Sequence, residues 1–122
     1  MKYLSFVRSS EKYRDTPPPP ALMQAMGALM EKFTKNGSLV DTGGLAPSRD
    51  SFRMRLENGK LTTTDGPFAE SKEVIGGWAI LSADSKAEAV RFTEEFMDLH
   101  RKHWPDFEGE CEVRPIEFQA KP

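Results

Sequence analysis

Alternation opens the chain. From Met1 to Arg8, Tyr3, Ser5 and Val7 fall on one face of an extended segment and Leu4 and Phe6 on the other. That pattern predicts a short strand with apolar groups on both sides, as an interior place in a sheet requires. The period then changes. Leu22, Met23, Met26, Leu29, Met30 and Phe33 recur at helical spacing, Pro20 suits a first helical turn, Lys32 and Lys35 suit a last one, and Gly37 supplies the stop. An amphipathic helix from Pro20 is expected.

Period two returns in "SLVDTGGLAP", a weaker strand ending at Gly43-Gly44. In "SFRMRLENGKLTTTD", Phe52, Met54 and Leu56 alternate with Arg53, Arg55 and Glu57, and Asn58-Gly59 is a hairpin turn. "VIGGWAILS" reads as a buried strand in which Gly76-Gly77 permits a bulge or a close backbone approach. "SKAE" from Ser85 matches a capping box, with Glu88 reaching back to the Ser85 N–H. Ala89, Phe92, Phe96 and Leu99 then mark the buried stripe of a second helix reaching about His103. After the loop "HWPDFEG", the strand "ECEVRPIEF" changes apolar parity at Pro115, which predicts a bulge there. The order β-α-β-β-β-β-α-β describes one domain over residues 1–122, an α+β ferredoxin-like sandwich.

Composition narrows the function. The 122 residues suit a single core that buries roughly two-thirds of the unfolded surface. Seventeen basic and nineteen acidic residues leave a net charge of −2, without the basic excess that replaces phosphate counterions. No nucleic-acid partner is expected. No apolar run approaches the roughly 18 residues of a membrane span, so no membrane partner is expected either. "MKYLSFVRSSEKYRD" turns polar after Val7, too soon for a signal-peptide core, and the single cysteine, Cys111, suits a reducing cytoplasm.

Chemistry-bearing residues are sparse. His100 and His103 share a helix face, a spacing that can begin a metal site, but no third ligand is forced nearby and the helix dipole already favours histidine at that end. No metal and no cofactor are expected. Cys111 lies in a strand, where a buried, inert thiol is the expectation. The quadruple proline from Pro17 to Pro20 reads as a stiff helix entry. There remains "DGPFAESKE", Asp65 to Glu73. Aspartate, glycine and proline make a turn by their own chemistry. Phe68, Glu70, Lys72 and Glu73 are surplus to that turn. In extended chain Glu70 and Lys72 point one way and Glu73 the other. Such a group is either a self-neutralised surface or an anion holder beside an acid/base pair.

The stretch "DGPFAESKEVIGGWAIL" is very similar to the signature of the DGPF subfamily of YCII-related proteins. "GLAPS" (Gly44 to Ser48), "RMRLENGK" (Arg53 to Lys60) and "EVRPIEF" (Glu112 to Phe118) extend the resemblance over nearly the whole chain. It implies a ferredoxin-like fold whose sheets pair across a homodimer into a dimeric α+β barrel. Some members of the wider group are lyase-like, including a dehydrochlorinase of chlorinated hydroxyquinols, and DGPF proteins are often associated with extracytoplasmic-function sigma factors. The wider group's proposed His-Asp pair, with its histidine on the first helix, is not carried over, because Pro20 to Asn36 contains neither residue type.

The expectation is therefore a protein that binds an unidentified small molecule, or a weak lyase- or isomerase-like enzyme. Its pocket is lined by the DGPF segment: Asp65 or Glu73 as proton acceptor, and Lys72, Arg55, Arg114, Phe68 and Trp78 as ligand-binding groups, with Phe52 as a further apolar wall. The alternative is an accessory or regulatory protein that touches a sigma factor or similar partner. A homodimer is expected on either reading, because Leu4, Phe6, Met54 and Ile80 supply more apolar strand surface than two helices cover.

Overall fold

The computed structural model describes residues 1–14, 16–68 and 73–118. Its strands are β1 (Lys2–Ser9), β2 (Leu39–Gly44), β3 (Phe52–Glu57), β4 (Lys60–Asp65), β5 (Val74–Ser82) and β6 (Gly109–Pro115), and its helices are α1 (Pro20–Lys35) and α2 (Lys86–His103). Short 3-10 turns at Glu11–Arg14 and Ser48–Asp50 complete the set. Four strands form one antiparallel sheet in the order β2-β5-β1-β6, and β3-β4 form a separate hairpin. The fold is α+β, consistent with a ferredoxin-like arrangement with the hairpin inserted between the second and third sheet strands.

The two-sided apolar pattern of β1 matches its place, since β1 is interior and pairs with both β5 and β6. One sheet face packs on the helices. Tyr3, Leu81, Ala83 and Ala89 form its core, with Leu39, Ala79, Phe92 and Val113 packed against them. The helices meet through Phe33 and Phe92, whose ring centroids lie 5.0 Å apart. From α1, Leu22 is 1% exposed, a burial that contributes roughly 2–3 kcal/mol. Met23, read as part of the same stripe, is 52% exposed. It sits one position past Leu22, which the 100° advance per residue carries off the buried face.

Glycines act where the sequence placed them. Asn58 (φ 51°) and Gly59 (φ 75°) take the left-handed conformations a tight hairpin turn needs, and Gly37 (φ 83°) ends α1. The pairing of β1 with β5 shifts between Val7 and Arg8: Val7 faces Gly77 and Arg8 faces Ile75. Gly76 is thus the extra residue of a bulge.

Two local expectations are corrected. At the start of α2 the Glu88 N–H donates to Ser85 Oγ at 3.1 Å, but the Glu88 carboxylate accepts from the Asp84 N–H at 3.1 Å, one residue before the expected donor. At Pro115 there is no bulge, for β6 keeps one register with β1 throughout. The strand lies at the sheet edge and ends at the proline. The next N–H, of Ile116, reaches Lys2 O at 2.8 Å, so the alternation of a strand's N–H groups turns the proline nitrogen to the open side.

Candidate functional site

The DGPF turn is a structural joint before anything else. Glu11 grips Ser48 with both carboxylate oxygens, accepting its N–H and its hydroxyl at 2.9 Å each, and Ser48 Oγ in turn accepts the Phe68 N–H at 3.3 Å. Gly66 donates its N–H to Ser51 O at 2.8 Å. A Cβ on Gly66 would stand 1.6 Å from Ser48 O, so no residue with a side chain fits without moving backbone. Ser48, the last residue of "GLAPS", and the glycine of "DGPF" are therefore parts of one joint at the base of the hairpin. The Arg53 guanidinium lies 3.8 Å from the Phe68 ring centroid, a cation–π contact that turns the Arg53 face of the hairpin toward the DGPF segment.

A groove opens beyond the joint. Both neighbours of β1 run antiparallel to it, so their first residues lie beside its last: Ser9 faces Val74 on one side and Gly109 on the other. The residue before β5 (Glu73) and those around the start of β6 (Glu108 to Glu110) consequently converge on the turn that follows β1. Together with Ser10, Lys12 and Tyr13 they line a cavity of about 300 Å³. Its aromatic wall is fixed. Tyr13 OH donates to Asp106 O at 3.1 Å and accepts the Glu108 N–H at 3.2 Å, and its ring packs edge-on against Trp104 at 5.4 Å. The Lys12 ammonium lies 5.1 Å from the same ring. Three glutamates and one lysine are among its lining residues, a composition suited to a neutral or cationic polar ligand and to moving a proton between ligand and carboxylate.

A second surface is the sheet face turned away from the helices. Trp78, Phe6 and Glu112 form one row across β5, β1 and β6, and Ile80, Leu4 and Arg114 form the next. Trp78 spreads over Gly43 of β2, where a Cβ would come within 2.7 Å of the indole nitrogen. Arg8 pairs with Glu112 and lies 5.3 Å from the Phe6 ring centroid, and Arg114 Nε stands 3.8 Å from the same carboxylate.

The residues singled out from the sequence are distributed over three places. Glu73 lines the groove. Asp65, exposed at the end of β4, and half-buried Phe68 belong to the hairpin base. Trp78 and Arg114 share the open sheet face, while Arg55 is exposed on β3 opposite Thr62. Lys72 and Glu70 lie outside the described residues. Sequence reasoning passed over Lys12 and Tyr13 because "SSEKYRD" reads as a polar run. Its tyrosine was the available signal. His100 is buried, its Nδ1–H donates to Phe96 O at 3.1 Å, and desolvation holds its pKa below the ordinary imidazole value. Among the described residues no three His, Cys, Asp or Glu side chains are grouped so as to hold a metal ion. Half-buried Cys111 lies 3.2 Å from Ser5 Oγ, and burial pushes its thiol pKa up. No helix among the described residues is long and apolar enough to cross a membrane.

An uncharacterized protein of Rhizobium meliloti (strain 1021) is 28% identical over 95 residues, covering 78% of this chain and 73% of the relative. Among solved structures, the de novo designed protein Foldit4 matches 96% of this chain and 100% of its own at 12% identity, with a TM-score of 0.44. The model of the YCII-related domain matches residues 1–97, and on that match the chain belongs to the YCII-related family.

Proposed function

We propose that this chain is a small-molecule-binding protein, or a weak lyase- or isomerase-like enzyme, of the DGPF subfamily. The observation that carries the reading is the groove in which Glu73, the last residue of the DGPF stretch, meets Lys12, Tyr13, Glu108 and Glu110. Its volume of about 300 Å³ stands at the small end of ligand pockets, which run roughly 300–1,000 Å³. The ligand is a compact polar molecule, neutral or cationic. Glu73 accepts a proton from it, and Lys12 faces the oxygen on which charge develops. Lys72, next to Glu73 in the chain, is assigned a carbonyl oxygen of the ligand. Asp65, Phe68 and Arg55 support the site from the hairpin, and Trp78 and Arg114 belong to the sheet face that a second copy covers. The active form is a homodimer in which two open sheet faces turn inward, the dimeric α+β barrel.

Thermal-shift measurements against a panel of small amines, alcohols and neutral carbonyl compounds test the reading. A binder raises the melting temperature, and Glu73→Gln or Lys12→Ala weakens it by about 1–3 kcal/mol, the worth of a charge-assisted hydrogen bond. A ligand whose affinity neither substitution changes would remove the groove from the reading. The runner-up, an accessory protein for an extracytoplasmic-function sigma factor or similar partner, draws on the exposed apolar hairpin. Recovery of such a partner with the chain, lost when the hairpin's apolar side chains are replaced, would favour it.

A further inference from the structure

We infer that the β3-β4 hairpin is an exchange arm that seats on the open sheet face of a second copy of this chain. The inference deepens the homodimer reading and rests on it. Phe52, Met54, Leu56 and Leu61 share one hairpin face, for Leu56 opposes Leu61 and the strand period is two. Their exposures are 66%, 58%, 69% and 63%, and every residue of both strands is exposed. An apolar stripe of that kind is uncommon on a chain that works alone.

Among the described residues, the chain's own body does not cover it. Stacking of Arg53 on Phe68 turns the charged face of the hairpin base toward its own DGPF segment, which leaves the apolar face outward. The joint of Gly66 against Ser48, with Glu11 behind it, fixes that orientation. The same chain carries a second uncovered apolar surface. Leu4 (38% exposed), Ile75 (43% exposed), Phe6, Trp78 and Ile80 lie on the sheet side that no helix packs on. One two-fold axis satisfies both needs twice, each copy giving an arm and receiving one.

Dimensions agree. Strands of six residues make an arm about 20 Å long, and four strands spaced ~4.8 Å apart make a face about 14 Å across. Four large side chains at these exposures present on the order of 450 Å². Two arms and the two surfaces beneath them bury on the order of 1,800 Å², inside the range of roughly 1,200–2,000 Å² of standard-size specific protein–protein interfaces.

Sedimentation equilibrium of the full chain with and without Met54→Asp/Leu56→Asp tests this. Both positions are exposed in the single copy, so the substitutions leave its circular dichroism unchanged. The wild-type chain is expected at twice 13.7 kDa at micromolar concentration. The double variant is expected to dissociate with a constant raised on the order of 100-fold, as loss of two central apolar anchors implies. If the double variant remains a full dimer while Leu4→Asp separates the copies, the arm assignment is overturned and the homodimer stands. If the wild type sediments at 13.7 kDa, both are overturned.

Discussion

Alanine at position 66 adds one methyl group where the nearest backbone oxygen, that of Ser48, would lie 1.6 Å away. Normal contact needs more than 3 Å, so the turn or the Ser48 segment must move by over an ångström. A forced shift of this kind costs typically 1–3 kcal/mol. Ser48 cannot move freely, because its N–H and hydroxyl are held at 2.9 Å by Glu11. Bonds to a charged partner contribute about 1.5–3 kcal/mol, and part of that is lost too. A destabilisation of about 3–4 kcal/mol follows, a large share of the 5–15 kcal/mol typical of a domain, with a melting temperature lower by roughly 10–15 °C. Gly44→Ala is the control. It meets nothing within 4 Å and is expected to change stability by less than about 0.5 kcal/mol. Urea unfolding followed by circular dichroism reads both. Equal stability of the two variants would refute the joint, and with it the claim that this glycine is fixed by the fold.

The buried histidine gives a pH signature. Desolvation lowers the folded pKa of His100, so the unfolded chain binds its proton first as pH falls. The contribution of the neutral ring is complete above the ordinary imidazole value of about 6.5 and is lost progressively below it, so the urea midpoint of wild type is expected to drop between about pH 7.5 and about pH 5 by more than that of His100→Gln. An identical drop in both would remove His100 as the cause. The Cys111 thiol, pushed up by burial, is expected to react with iodoacetamide at about pH 8 at least tenfold more slowly than free cysteine and to recover the free rate in denaturant, whereas a fast folded-state rate would contradict its burial.

Helices and strands were legible wherever one face meets the core. The stripe Leu22, Leu29, Phe33 and the strand Tyr3 to Val7 could be read because the helix-facing core enforces the period. Gly76-Gly77 was legible as a bulge or a close backbone approach for a related reason, since paired glycines in a buried strand have no packing purpose, but which of the two it is follows only from the register with β1. The parity change at Pro115 misled, because an edge strand tolerates a proline without inserting a residue. The DGPF turn was legible as chemistry, but not as a joint. Its partners, Glu11 and Ser48, lie 55 and 18 positions before Gly66, and nothing in local pattern announces a contact of that range. Convergence of Glu73 with Lys12 and Glu110 was hidden likewise, since it follows from the β5-β1-β6 order and not from spacing.

That strand order also dictates a schedule. One of the two central strands of the sheet, β1, is the earliest of the described strands, and its partners are residues 74–82 and 109–115. At ribosomal rates of about 5–20 residues per second, β1 waits roughly 4–14 s for the first of them. The helix α1 and the hairpin need only local contacts and form within microseconds of emerging. During the interval the segment "YLSFV" has no strand to pair with, and it is then that the nascent chain is most open to a chaperone or to a wrong neighbour.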